Sequence, residues 1–217
     1  MNDGEVVLDL TPDQLLTTTR AVRRRLDFTR PVPGEIVTEC IEIALQAPTA
    51  SDRQPWHWVV VGDADRKRAL VELYRSRYND RDRPRLSARL GKDRPPNPRI
   101  ARSAVGFAER MHEAPWLVVP CVWGRTDPNP STEDQAVLWG SVLFAVWSFA
   151  LAARARGLGT VYTTVHLGKE REAADVLGIP FDEVTQCGML PLAYTVGTDF
   201  RPAARVPVVD VIHWDKW

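Results

Sequence analysis

Apolar positions recur along the chain at two spacings, one helical and one extended. A helix is predicted from Thr11-Pro12-Asp13, where threonine can cap, proline suits the first turn and aspartate favours the positive end of the dipole. It is expected to run through Leu15, Leu16, Ala21 and Val22 into the basic cluster Arg23-Arg24-Arg25, with Pro31 and Pro33 breaking the chain beyond it. Ile36, Val37, Cys40, Ile41, Ala44 and Leu45 keep helical spacing up to Ala47-Pro48. The run His57 to Val61, HWVVV, is continuously apolar and is expected to lie centrally in a sheet. Ala64 to Tyr78 reads as a helix, and another helix should precede a strand from Trp116 to Val122. A long apolar helix from about Thr132 to Arg156 is expected to end at Gly157. Gly159 to Val165 reads as a strand, Lys169 to Leu177 as a short helix and Gln186 to Val196 as a further strand. Helices alternating with strands give an α/β or α+β domain.

Composition narrows the picture. The 217 residues suit one domain spanning 1–217. Lysine plus arginine total 28, as do aspartate plus glutamate. The resulting zero formal charge removes the electrostatic argument for a partner that is nucleic acid or anionic membrane. Three well-separated cysteines, Cys40, Cys121 and Cys187, form no CxxC, so a disulfide framework or a zinc site built on cysteine pairs is not expected. The N-terminal MNDGEVVLDL is acidic where an export signal would be basic. The longest apolar run, Trp139 to Ala153, is short for a bilayer and reads as a buried core helix. A cytoplasmic protein is the expectation. Residues 75–102 differ from the rest, with ten basic residues against three acidic and four prolines, and they suggest a long functional loop.

Motifs for several chemistries are missing. There is no GxGxxG after a strand, no Walker loop, no GxSxG elbow and no HxxxH pair among His57, His112, His166 and His213. Cys40 and Cys187 sit in apolar patterns that favour inert thiols. What remains are polar clusters in apolar surroundings: Thr17-Thr18-Thr19-Arg20-Ala21-Val22-Arg23, Ala47-Pro48-Thr49-Ala50-Ser51-Asp52-Arg53-Gln54-Pro55-Trp56, and Gly157-Leu158-Gly159-Thr160-Val161-Tyr162-Thr163-Thr164, with an isolated Arg205 near the end. Each alone fits a helix end, a loop or a strand without any function.

In this order, however, the segments resemble the FMN-dependent nitroreductase superfamily over nearly the whole chain. TTRAVRRRLDFTRPVP is similar to the family's Arg-Arg-Ser-Val-Arg segment, APTASDRQPWHWVVV to its Ala-Pro-Ser-x-x-Asn-x-Gln-Pro-Trp loop, and LAARARGLGTVYTT to its Leu-Ala-Ala-x-x-x-Gly-Leu-Gly-Thr segment; VLGIP and RVPVVDVIHWDKW complete the pattern. The resemblance implies an α+β fold with a central, mostly antiparallel sheet flanked by helices. It also implies a domain-swapped homodimer with FMN at the interface, a lid in 75–102 and a C-terminal arm, 198–217, that wraps the partner. The long helix would then be apolar all round because the dimer buries it.

By the same resemblance, Arg20 and Arg205 hold the FMN phosphate, a task for which a planar guanidinium is suited. Arg23 reaches the N1/O2 edge, where a positive charge favours reduced flavin. Pro48 and Thr49 pass the ribityl chain and ring, Asp52 faces the pyrimidine edge, and Thr163 and Thr164 lie beside N5, where a hydroxyl or backbone N–H would donate. Arg24 and Arg25 have no matching role and are expected at solvent or at the lid. There are departures. Ala21 stands where serine would give the phosphate a hydroxyl, Thr19 where an arginine is common, and Asp52 where asparagine could also donate. The implied activity is hydride transfer from NADPH or NADH through flavin to a small-molecule acceptor such as a nitroaromatic or quinone, with no side-chain acid or base. Tyr162-Thr163-Thr164 also resembles the threonine-rich turn of iodotyrosine deiodinase, and the Arg-Ala-Val-Arg spacing the flavin-destroying enzyme of cobalamin-ligand synthesis. An FMN-storage or nucleic-acid-binding protein is the non-enzymatic alternative.

Overall fold

The computed structural model describes residues 7–78, 103, 106–125 and 129–217. The helices described over their whole length are α1 (Pro12–Thr18), α2 (Gly34–Ala44), α3 (Ala64–Arg77), α4 (Thr132–Ala155) and α5 (Glu170–Leu177), and residues 106–110, ahead of the Trp116 strand, are helical as well. The strands are β1 (Leu26–Asp27), β2 (Trp56–Val61), β3 (Trp116–Trp123), β4 (Leu158–Thr160), β5 (Val184–Gln186) and β6 (Leu190–Thr195). Every strand pairing is antiparallel. The eight-residue β3 is the spine: β2 lies along one edge, and β6 and then β5 lie end to end along the other. Beyond them β6 carries β4 on its far edge and β1 in line with β3.

Side chains alternate across the sheet and so build two cores. Leu117, Val119 and Cys121 of β3 pack with Leu70, Val71 and Tyr74 of α3, together with Met111 and Ala173. Val118 and Val122 pack on the opposite face with Val37 and Cys40 of α2 and Val142 and Phe149 of α4. The expected helix-flanked antiparallel sheet is therefore present.

Four local expectations are corrected. First, α1 starts as expected, with Thr11 and Gln14 capping each other and Pro12 in the first turn, but it stops at Thr18 instead of running into the arginines. The hydroxyls of Thr17, Thr18 and Thr19 each bond back to a carbonyl four residues earlier at 2.6 Å, which weakens a helix already burdened by three β-branched residues. Residues 19–25 instead lie along β4, where the Val22 N–H donates to the Thr160 carbonyl at 2.9 Å. Second, β2 is an edge strand, not a central one. Its apolarity reflects helices over both faces: Val59 and Val61 join one core, and Trp56 and Trp58 the other.

Third, the strand expected over 186–196 is two strands separated by Cys187-Gly188-Met189. Pro120 explains the break. Its carbonyl accepts the Cys187 N–H at 2.8 Å, but proline has no N–H to return, so the Cys187 carbonyl needs another donor. The Tyr162 hydroxyl supplies it. Gly188 leaves room for that ring, since a Cβ there would lie 2.3 Å from Tyr162 Cε2. Fourth, the strand expected over 159–165 is only Leu158–Thr160; Thr163 then bridges to Met189, and Val165–Lys169 form a 3-10 turn.

The long helix matches its predicted span. Ser131 and Asp134 cap its start, and Gly157, at φ 71°, turns the chain out of its end. At 24 residues it exceeds the 15-residue apolar run of the sequence, and by length and composition alone it is long and apolar enough to cross a membrane. One face packs on α2 and the sheet, while Val137, Leu143, Phe144 and Trp147 on the other are 37–58% exposed. The tail beyond Phe200 is almost entirely exposed and includes Val208, Val209, Trp214 and Trp217. Of the expected lid, only residues 75–78 belong to the described residues, as the end of α3 and its cap; 79–102 lie outside them.

Candidate functional site

The first and third polar clusters meet in a cavity of about 270 Å³. Thr19, Arg20, Ala21 and Val22 form one side, and Leu158, Gly159, Thr160, Tyr162 and Leu190 form a second. The third side is a stripe of α4: Leu143, Val146, Trp147, Ala150 and Arg154. Contact between the first two sides is close because of Gly159, where a Cβ would lie 2.6 Å from Thr195 Cγ2 and 3.1 Å from Val22 Cβ.

The cavity is apolar except at its cationic side. Arg20 is exposed and donates through Nη1 to the Arg201 carbonyl at 3.2 Å, which places the root of the C-terminal tail beside it. Arg154 is 4% exposed. Its Nη2 donates to the Thr198 carbonyl at 2.9 Å, while Nε and Nη1 have no partner among the described residues, nor has the buried Thr160 hydroxyl. Burial works against the charged form of Arg154, and the like charge of Arg25 adds to that. Tyr162 has its hydroxyl committed to Cys187, and burial, with a smaller contribution from Cys187, pushes its pKa up to about 12. A cavity with apolar walls and a buried cation holding unused donors suits a ligand with a flat apolar body and an anionic group. That is the chemistry of FMN, so the residues present fit this cofactor.

The other expected site residues fall elsewhere. Arg23 and Arg24 line a neighbouring cavity of about 310 Å³ with Phe28, Phe107 and Arg110. A groove lined by Arg20, Ala21, Val22, Arg23, Arg24, Arg25 and Phe200 adjoins it. Arg25, expected at solvent or at the lid, instead ties this segment to the root of the tail. It pairs with Asp199 at 2.5 Å, donates to the Val196 carbonyl at 2.8 Å and lies 4.3 Å over the Phe200 ring. Thr163 and Thr164 follow Tyr162 in the chain but do not line the cavity. The Thr163 N–H is spent on the Met189 carbonyl at 3.0 Å, so it is not the N5 donor that the resemblance allowed. The Thr164 hydroxyl and N–H make no hydrogen bond among the described residues and stay available.

Pro48, Thr49 and Asp52 are not brought to this cavity within one chain. Pro48 lies with Phe144, Ser148 and Leu151 in a separate hollow against α4. The Ala50 N–H donates to the Ser141 hydroxyl at 3.2 Å, Thr49 Oγ1 accepts the Gln54 N–H at 3.1 Å, and Asp52 accepts from Gln54 Nε2 at 2.8 Å. Ser51, Asp52 and Gln54 have φ of 53°, 52° and 49°, so three non-glycine residues occupy the left-handed region in one loop. Among the described residues Arg205 reaches the Ala204 carbonyl, at 3.2 Å, and does not line the cavity.

Sequence reasoning overlooked Arg154, Trp147 and Leu143. A signal for them existed: positions 143, 147, 150 and 154 follow one face of α4, and Arg154 interrupts an otherwise apolar stripe.

The comparisons with known proteins give this fold a family. The nitroreductase family model matches residues 16–194. The chain is 25% identical over 207 residues to an Archaeoglobus fulgidus protein named "Putative NADH dehydrogenase/NAD(P)H nitroreductase", covering 94% of this chain and 97% of that one. Among solved structures, oxidized iodotyrosine deiodinase bound to FMN and 3-iodo-L-tyrosine superposes with a TM-score of 0.68 at 21% identity, over 93% of this chain and 98% of that one. A mutant of the FMN and NADPH-dependent nitroreductase NfnB from Sphigopyxis sp. strain HMH gives 0.68 at 21% identity, over 96% and 100%. The chain belongs to the nitroreductase family.

Proposed function

We propose that the chain is an FMN-dependent NAD(P)H oxidoreductase of the cytoplasm that reduces small acceptors such as nitroaromatics or quinones. The observation that carries this is the cavity between residues 19–22, 158–162 and α4, whose apolar walls end at an uncompensated buried guanidinium. Arg20 would hold the phosphate, and Arg23, in the adjoining groove, would place positive charge beside the pyrimidine edge. Leu143, Trp147 and Leu190 would exclude water from the ring. The uncommitted Thr164 hydroxyl would donate near N5. When bound, FMN supplies reversible hydride chemistry, taking two electrons from a nicotinamide and giving them to the acceptor.

A second copy of the chain belongs to this reading. The exposed Leu143, Phe144 and Trp147 of α4, and the apolar tail, would be covered in a homodimer. Such a partner would also supply the loop with Pro48, Thr49 and Asp52, which its own chain keeps away from the cavity.

The test is to mix purified protein with FMN under anaerobic conditions and add NADPH or NADH. Bleaching of the bound flavin by either donor, and its return on adding a nitroaromatic or quinone, is the expected result. Flavin that stays oxidised with both donors refutes the activity.

A further inference from the structure

Arg154 has a local environment that an anion would complete. It is 4% exposed, yet among the described residues no acidic group acts on it; the charge that does is Arg25, of the same sign. Its Nη2 is used on the Thr198 carbonyl at 2.9 Å and, at 3.5 Å, on the Thr18 hydroxyl. The Phe200 ring, 5.0 Å away, offers a weak cation–π contact. Nε and Nη1 remain unpartnered among the described residues, and so does the buried hydroxyl of Thr160, a residue of the same cavity. Burying a cation and three polar atoms unsatisfied is costly, and a doubly charged oxyanion would remove that cost at once.

We infer that Arg154, with Arg20 and the Thr160 hydroxyl, anchors the phosphate monoester of the flavin. This rests on the FMN reading above. It gives the second phosphate guanidinium to α4, where the resemblance had pointed to Arg205, and it compensates for Ala21, which brings no hydroxyl. The Thr160 hydroxyl takes the part of the missing serine. Because Nη2 of Arg154 also holds the Thr198 carbonyl, phosphate binding and the course of the tail root share one side chain.

The experiment compares FMN with riboflavin, which has the same ring and ribityl chain but no phosphate. Protein freed of flavin is titrated with each, following quenching of flavin fluorescence. The wild type should bind FMN at least tenfold more tightly than riboflavin. Arg154→Met, which keeps the stem and removes the charge, should weaken FMN tenfold or more and leave riboflavin within twofold; Arg154→Lys should recover part of the loss. Thr160→Val, nearly isosteric, should weaken FMN several-fold and spare riboflavin, and it tests the site even if Arg154→Met does not fold. An unchanged FMN-to-riboflavin ratio in the folded variants overturns the assignment and leaves the FMN reading intact. Equal loss of both ligands makes Arg154 purely structural and also overturns it. A wild type that binds neither flavin removes the parent reading as well.

Discussion

Replacing Gly159 by alanine tests whether β4, β6 and the Arg20 segment converge as described. An added Cβ would lie 2.6 Å from Thr195 Cγ2, 3.0 Å from Leu26 Cδ2 and 3.1 Å from Val22 Cβ. None of the three can yield easily. Thr195 is held by its hydroxyl on the carbonyls of Gly157 and Gly197 at 3.1 and 2.8 Å, and Leu26 and Val22 are both buried. The methyl must therefore push residues 19–26 outward, against the Val22 to Thr160 hydrogen bond. Overpacking of this kind costs about 1–3 kcal/mol. For a chain of this length each kcal/mol moves the midpoint by about 2–4 °C, so Gly159→Ala should lower Tm by roughly 2–12 °C. Gly140→Ala is the control. A Cβ there meets nothing within 4 Å inside α4, so the better helix former should stabilise by about 0.5–1 kcal/mol. Thermal melts by circular dichroism, with urea midpoints alongside, read both. A Gly159→Ala protein that melts no lower than the wild type would refute the convergence. Shifts of the same sign in the two variants would refute it too.

Burial holds the pKa of His166 at about 4, against the opposing pull of Glu170 and Gln186, and neither ring nitrogen has a partner with hydrogen-bond geometry among the described residues. A folded value below the unfolded one means the unfolded chain takes up the proton first; stability is complete above the unfolded value of about 6.5 and falls as pH drops toward about 4, by about 3 kcal/mol at most. His166→Leu should flatten that slope between about pH 7 and about pH 4.5 in urea melts, and parallel slopes for the two proteins would dismiss the idea. Arg125 grips Glu170 with both ends of its fork at 2.7 and 3.0 Å, and the Gln186 N–H donates to the same carboxylate at 2.9 Å. With side chains only 27% and 16% exposed, Glu170→Ala and Arg125→Ala should each cost about 2–4 kcal/mol, and the double variant clearly less than their sum; additive losses in a double-mutant cycle would contradict a coupled pair.

Local signals made much of the fold legible. Thr11, Pro12 and Gly157 mark helix ends through local chemistry, and α1 and α4 begin where the sequence says; the structure adds Gln14 to the first start and the Ser131–Asp134 pair to the second. The apolar spacing of α2 and α3 is equally self-contained. Failures came where a distant partner decided the outcome. The arginines after α1 follow β4 because Thr160 offers a carbonyl, and the 184–195 line breaks because a proline 67 positions before Cys187 cannot donate to it. HWVVV reads as central because apolarity registers how many faces are covered, not how many neighbours a strand has. The site divides in the same way. Arg20 and Ala21 stand in a motif and reach the cavity. Arg154 had been counted into an apolar helix. Asp52 and its loop fit the motif but pack against Ser141, so one chain alone does not assemble all the expected residues.

The titratable groups of the molecule say what the cavity can do unaided. Among the described lining residues these are Arg20, Arg154 and Tyr162. Arginine does not exchange protons near neutrality. The Tyr162 hydroxyl already donates to Cys187, and with its pKa at about 12 it does not ionise there either. Three further groups capable of proton or nucleophile chemistry lie in the core. His166 is wholly buried, and burial pushes the Cys121 thiol up to about 12 and the Cys187 thiol higher still. Among the described residues of one chain, the cavity lining thus offers apolar walls, fixed positive charge and hydrogen-bond donors, which are means of holding and tuning a ligand. Loss of activity on substituting one of these lining residues should therefore be interpreted first as loss of binding: affinity and electrostatic tuning are what Arg20, Arg154 and the apolar walls have to lose.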